Sequence, residues 1–492
     1  MSSPSIGIEL QPKAESYSQE VLAKIDINIG PVGAVYRGVI DEVRSVARGS
    51  KNFSAIYIEG LYGSGKTLVL RKLVYDIISG PLKDQFKNIM PIYFFLGGMD
   101  FKLLQGLKNY IEELKTYVSS ERKVPIKPYI LGERADWKSR LPLLEKCLEI
   151  VSKVEERYKK EEEKETLGFF EVLGEMNKQE IDGESCRPLL IFDEFERVLY
   201  TGDGLKTDVG KSAFVTFAQR YLELTRGHLY SGGFIIATTK PIKELLDNAI
   251  KERRPHISFI FERLGLRMDR PEDFHMIRPH IVYDYWDRLA WLYQHLDDLA
   301  NKYGFLLHLD LLHLISDILP IPRTIIQIDR KVRINLGRTP NVVSPKEFYN
   351  VIRPRIEEFI EVLKREKIGS RFIIAPRTLW HERFVKLLEN GYFVIRSSEY
   401  EKVAEALNIT VQDHDKSKQR VSQILRQLSA LGLYERLGAG EYRLNPYILA
   451  YALEIESLPD GSRADLGELI MKIKNAIIKT REEREKSESE KE

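Results

Sequence analysis

Ala55-Ile-Tyr-Ile-Glu-Gly-Leu-Tyr-Gly-Ser-Gly-Lys-Thr-Leu-Val-Leu-Arg-Lys-Leu-Val-Tyr-Asp-Ile-Ile78 passes from an apolar run through a glycine-rich turn into a helical pattern. Phosphate groups need many donors in a small space. Glycines let backbone N–H groups turn inward, and a helix N-terminus behind the turn adds its own free N–H groups. Gly60, Gly63, Ser64 and Gly65 form that turn, with Lys66 placed for the β- and γ-phosphates and the Thr67 hydroxyl for Mg²⁺. A glycine turn that carries Lys-Thr by chance is the competing reading, and the flanking strand and helix count against it.

Working outward, further buried strands are expected at Ile89–Phe95, Leu189–Phe192 and Phe234–Ala237, with amphipathic helices between them. Strands alternating with helices imply a parallel sheet covered on both faces, so the fold class is α/β. The third strand runs into Asp193-Glu194, which delivers two carboxylates to the sheet edge where ligands bind in such folds. Asp193 is expected to hold Mg²⁺ through water, and Glu194 to orient and deprotonate an attacking water. Between the second and third strands lie about 90 residues with helical periodicity, Phe101–Val118 and Leu141–Tyr158, and then the charge run Lys159–Glu165. That run is a solvated helix face or a loop.

At 492 residues the chain is long enough for two to four domains. Hydrophobic residues are 43% and charged residues 30%, as in a globular protein with a densely charged surface. Lys+Arg 75 against Asp+Glu 73 leaves a net +2, so overall charge argues neither for nor against nucleic acid or membrane as a partner. Cys147 and Cys186 are far apart without metal-ligand spacing and read as ordinary buried thiols in a reducing compartment. The start lacks a basic stretch followed by an apolar one, and no segment approaches the roughly 20 uncharged residues that span a bilayer. No membrane partner and a cytoplasmic location are therefore expected.

These motifs resemble the AAA+ branch of P-loop ATPases over about residues 50–365. Ala237-Thr-Thr-Lys-Pro-Ile-Lys-Glu-Leu-Leu-Asp-Asn-Ala-Ile250 is similar to that family's fourth strand and following helix. The resemblance implies that Thr239, where the family usually has Asn, senses the γ-phosphate; a strand-end Thr capping a helix is the alternative. Phe261-Glu-Arg-Leu-Gly265 looks like the segment ending in an arginine that reaches a neighbouring subunit's ATP, which implies Arg263 in that role, Arg254 second, and a homo-oligomer or an ATPase partner subunit. Either arginine can equally be an ordinary surface residue. Ile321-Pro-Arg-Thr-Ile-Ile-Gln-Ile-Asp-Arg330 resembles the lid helix that aims an arginine at ATP, here Arg323. Ile29-Gly-Pro-Val-Gly33 occupies the region of the adenine contact but matches its signature poorly.

After Pro271 helical patterns dominate, including Tyr283–Tyr303, Leu307–Leu319 and Pro345–Ile368. Three helices at Trp380–Asn390, Glu399–Leu407 and Lys416–Leu433, followed by a hairpin at Tyr434–Leu444, suggest a winged helix. Its last helix carries Lys416, Lys418, Arg420 and Arg426, read as free of acids, and the wing carries Arg436 and Arg443. Such a surface suits the major groove and adjacent phosphates of double-stranded DNA. Asp413, Asp415, Glu435 and Glu441 temper that reading, and a protein-binding winged helix stays open. The expected organisation is a lead-in at 1–50, a core at 51–270 with a helical insertion at about 101–185, a helical lid at 271–368, a winged helix at 369–455 and a charged tail at 456–492, disordered over its last dozen residues. That order resembles the archaeal origin-recognition initiators. It implies an ATP- and Mg²⁺-using machine on DNA, an initiator, loader or remodelling regulator. The alternatives are a STAND-like switch whose winged helix binds protein, and a scaffold that binds nucleotide without hydrolysis.

Overall fold

The computed structural model describes residues 19–24, 27, 30–61, 63–95, 103–120, 130–158, 162–181, 183–195, 200–201, 204–205, 231–239, 276–277, 279–284, 286–288, 306–318, 331–332, 334–336, 342–365, 380–409, 414–455 and 465–489. The chain separates into two compact units, Lys13–Val282 and one built from Tyr283–Glu492.

The first unit opens with α1 (Gly30–Ala47), whose Val35, Val39, Val43 and Val46 recur at helical spacing and are all buried. β1 (Phe53–Gly60) leads through the glycine turn into α2 (Lys66–Ile78), and β2 (Ile89–Phe95) follows. The insertion supplies α3 (Leu103–Ser119), α4 (Leu141–Tyr158) and α5 (Glu162–Asn177), which pack on one another through residues such as Leu107, Leu114, Leu144, Val151 and Leu173. The later part of the charge run, from Glu162, is thus the first turn of α5. β3 (Arg187–Asp193), β4 (Gly232–Thr238), β5 (Met276–Ile277) and β6 (His280–Ile281) complete the sheet.

Every pairing in that sheet is parallel, in the order β6-β1-β4-β3-β2, with β5 also on β1. β3 and β4 are buried along nearly their whole length, as continuous apolar runs in a two-sided sheet must be. Register decides the geometry of the site. Glu59 lies opposite Thr238, Phe192 opposite Ile236, and Phe95 opposite Asp193. Gly60, Thr239 and Asp193 therefore emerge at one edge, where β4, the strand that Thr239 follows, separates the glycine-turn strand from the carboxylate strand.

The second unit contains α6 (Leu309–Ile318), α7 (Pro345–Arg365), α8 (Trp380–Glu389), β7 (Val394–Ile395), α9 (Tyr400–Ala406), α10 (His414–Ala430), β8 (Tyr434–Gly438), β9 (Glu441–Leu444), α11 (Pro446–Ala452) and α12 (Leu466–Ser489). Helices α8 to α10 with the antiparallel sheet β7-β9-β8 have the winged-helix arrangement. One apolar core runs through the whole unit, joining Leu311 and Ile315 of α6, Ile352 and Phe359 of α7, Phe384 of α8, Leu425 of α10 and Leu449 of α11.

One expectation changes here. Leu469, Ile473 and Ile477 of α12 enter that core, and the helix continues to Ser489, although charge density predicted a disordered end. Apolar residues four apart on one face outweigh the charges on the other. Among the described residues no helix is long and apolar enough to cross a membrane.

Candidate functional site

The glycine turn is shaped by backbone sterics. Gly63 and Gly65 have φ of 81° and 108°, where L-residues with a Cβ are strained. A Cβ on Gly65 would also stand 3.0 Å from Val32 Cγ2, and one on Gly60 2.6 Å from Ser64 Oγ. The turn therefore needs glycine both for its curvature and for close approach. Val32 comes from Ile29–Gly33, so α1 begins against the turn despite the weak sequence match there. A buried cluster docks α1 on α2: Lys72 Nζ lies 3.0 Å from Asp76 Oδ1, and the Tyr36 hydroxyl donates to Asp76. Burial, and then the Asp76 carboxylate, push the Tyr36 phenol far above its usual range.

Lys66 opens α2 and is 7% exposed, and its ammonium donates to Gly60 O at 2.6 Å and Leu61 O at 3.0 Å. It is held within the turn that the phosphates would enter. The Thr67 hydroxyl donates to Asp193 Oδ1 at 3.3 Å, so residues 126 positions apart meet at the sheet edge. Asp193 is 1% exposed. Its Oδ1 also accepts the Glu194 N–H at 3.0 Å, and its Oδ2 accepts the Tyr93 hydroxyl at 2.7 Å. Glu194 is partly exposed at a φ of 56°, a conformation uncommon outside glycine and concentrated at functional positions. The next residue anchors the turn, because Phe195 N–H donates to Ala237 O at 3.1 Å. Thr239 follows β4 directly and is partly exposed at the same edge.

The donor set suits a hard, oxygen-preferring cation. Mg²⁺ is commonly bound by a hydroxyl and one or two carboxylates together with substrate phosphates, rather than by an all-protein cage. Thr67 and Asp193 provide that pair, and among the described residues no three His, Cys, Asp or Glu side chains cluster as a separate metal site. Arg254, Arg263 and Arg323 lie outside the described residues.

Tyr93 was not singled out by its sequence. The available signal is a polar-tipped aromatic in an otherwise apolar strand, since a buried phenol needs a partner for its hydroxyl.

On the winged helix, Lys416, Lys418, Arg420 and Arg426 are exposed along α10, and Arg436 is exposed on β8. The structure corrects three details. Helix α10 begins at His414, so Asp415 sits in its first turn where an acid complements the helix dipole, and the helix is not free of acids. Lys418 Nζ lies 3.0 Å from Glu401 Oε1, and this ammonium holds the Glu401 carboxyl below its usual range. Arg443 donates to Glu435 Oε2 at 2.9 and 3.0 Å and is ion-paired with Asp317 of α6. Its guanidinium is committed to the protein, whereas among the described residues no carboxylate pairs with Arg420 or Arg426.

Arg383 of α8 adds a basic group that sequence reading missed. Burial, and then the Arg420 guanidinium, lower its pKa. Cys147 and Cys186 are buried; burial pushes the Cys147 thiol up to about 12, and Cys186 is shifted upward too.

No protein-family model matches the chain, and no curated protein matches it. Among solved structures it is similar to Cdc6p from Pyrobaculum aerophilum, at 14% identity over 94% of this chain and 99% of that one, with a TM-score of 0.41. It is also similar to the Aeropyrum pernix ORC2 protein in its ADPNP–ADP complexes, at 13% identity, 93% and 95% coverage and a TM-score of 0.36. A third is the Drosophila ORC bound to DNA, at 13% identity, 92% and 96% coverage and a TM-score of 0.33.

Proposed function

We propose that this chain is a Mg²⁺-dependent ATPase of the AAA+ type that acts on double-stranded DNA through its winged helix. The observation that carries the reading is the meeting of Thr67 and Asp193 at 3.3 Å, beside Lys66 and Glu194, at the edge of a parallel sheet.

The turn's N–H groups and the start of α2 bind the phosphates, with Lys66 exchanging its carbonyl partners for the β- and γ-phosphate oxygens. Thr67 and Asp193 hold Mg²⁺, which supplies charge neutralisation on the transferring group. Glu194 orients water and accepts its proton as the oxygen attacks the γ-phosphorus; the bond to the β-phosphate oxygen breaks, and ADP and phosphate leave. Thr239 hydrogen-bonds the γ-phosphate or the water. Arg323 senses the nucleotide from the lid segment, and Arg263, with Arg254 as the alternative, completes the site of a neighbouring subunit.

Lys416, Arg420, Arg426 and Arg436 contact DNA phosphates, joined by Arg383 beside Arg420. Lys418 and Arg443 contribute less, because Glu401, and Glu435 with Asp317, already compensate them. Titration of labelled random duplex against the protein at several salt concentrations, with phosphate release followed in parallel, tests the assignment. Salt-dependent binding that raises ATPase activity is expected. Absence of salt-dependent binding transfers the winged helix to a protein partner and favours the STAND-like switch.

A further inference from the structure

Tyr93 lies in β2, two positions before its end, and is 5% exposed. The pairing of Tyr93 with Ile191 and of Phe95 with Asp193 sets its ring beside the C-terminal part of β3. On the alternate position of β2, Phe94 stacks on Phe192 at 5.2 Å and 14° and meets Phe169 edge-on at 6.0 Å. The two strands are thus fixed by ring packing as well as by their ladder, and the phenol hydroxyl is delivered from a rigid support.

A carboxylate on a short side chain turns easily, because the terminal sp³–sp² torsion of Asp is broad rather than confined to staggered wells. The donors from neighbouring elements remove that freedom at Asp193. Thr67 of α2 and the Glu194 N–H address Oδ1, while Tyr93 of β2 addresses Oδ2 at 2.7 Å. A hydroxyl donated to an ionised oxygen is among the stronger hydrogen bonds, and this one is buried. It fixes the plane of the carboxylate and leaves Oδ1 as the oxygen beside Thr67.

We propose that Tyr93 is a positioning residue that orients the Asp193 carboxylate for Mg²⁺ and so couples metal binding to nucleotide binding. The inference rests on the ATPase reading above, but it concerns a residue that reading does not require. Partners of metal-binding carboxylates typically contribute about 10–100-fold to metal affinity.

The test is the affinity for a fluorescent ATP analogue with and without Mg²⁺, measured for the native chain, Tyr93→Phe, Asp193→Asn and the double variant. Phe keeps the ring and its packing, so the fold and the affinity without metal are expected to be retained, with a modest fall in melting temperature for the hydrogen bond lost at the buried Asp193 oxygen. The factor by which Mg²⁺ tightens binding is expected to fall about tenfold in Tyr93→Phe, at the low end of the range for such partners. Because Tyr93 acts through Asp193, Tyr93→Phe should cost nothing further in the Asp193→Asn background. A native Mg²⁺ factor in Tyr93→Phe, or full additivity with Asp193→Asn, overturns the inference while the ATPase reading stands. A native chain whose analogue binding ignores Mg²⁺ overturns both.

Discussion

Replacing Arg420 and Arg426 by Ala probes the winged-helix surface where its charges are least compensated. Both side chains are exposed on α10, whereas Lys418, on the same helix, is paired with Glu401 at 3.0 Å. Each phosphate neutralised by a protein cation contributes about 0.9 to the slope of log affinity against log salt, so removing two contacts should make the slope shallower by about 1.8. Over a rise from about 50 to about 200 mM salt, the native chain should then lose roughly twelvefold more affinity than the variant. Lys418→Ala should change the slope by clearly less than one contact, because its charge is already compensated. Glu401→Gln should act in the opposite direction, releasing Lys418 and steepening the slope by up to about 0.9. Arg443→Ala should lower thermal stability, because Asp317 and Glu435 lose their partner, while leaving the slope unchanged. Fluorescence anisotropy of a labelled random duplex over a salt series reads the slopes of these four variants and of Arg420→Ala alone, and thermal melting reads the stability of Arg443→Ala. A native slope in the Arg420/Arg426 double variant, or a Lys418→Ala effect as large as that of Arg420→Ala, refutes the reasoning.

Gly65→Ala should weaken nucleotide binding and cost about 1–2 kcal/mol of stability, since an L-residue at a φ of 108° is strained and its Cβ meets Val32; native melting and native affinity together would contradict the turn geometry. Phe359→Ala should destabilise the second unit by about 3–5 kcal/mol. Hydrogen exchange should then accelerate in α7 and α10 together, because Phe359 and Leu425 belong to one core; acceleration confined to α7 would show that the winged helix is stable by itself. With Cys147 raised to about 12 and Cys186 also raised, thiolate is scarce in the folded chain and appears only as pH climbs far above neutrality. Ellman's reagent at about pH 8 should therefore find neither thiol until the chain unfolds, and rapid reaction under native conditions would contradict their burial.

The sheet was legible because its four long strands are apolar runs bounded by turn residues, and the glycine turn announces which strand comes first. Their order was less so. That β4 stands between β1 and β3 depends on pairing across more than 170 positions, which no local pattern encodes. That the strand of Asp193 ends beside the glycine turn is the expectation from the two motifs, while the hydrogen bonds of Asp193 with Thr67 and Tyr93 come from the structure, since a tyrosine in an apolar strand reads as packing. On α10 the helix begins two residues before Lys416, so Asp415, which the sequence pattern places ahead of the helix, belongs to its first turn. Lys418 and Arg443 show a further limit: their neutralising carboxylates lie on α9, α6 and a paired strand, so one-dimensional charge reading overstates the basic face. The end of the chain erred in the other direction, because the apolar spacing of Leu469, Ile473 and Ile477 was outvoted by the charges that follow.

Phosphate release by the native chain and by Glu194→Gln, measured with Mg²⁺ beside the affinity of each for ATP, bears most directly on the central claim. Glutamine keeps a hydrogen-bonding group at the site but cannot take the proton of the attacking water, a function worth about 10²–10⁴ in rate. The native chain is predicted to bind ATP and release phosphate, and the variant to bind with native affinity and release phosphate at least about 100-fold more slowly. A native chain that fails to bind ATP, or a Gln variant that turns over at the native rate, would contradict the account.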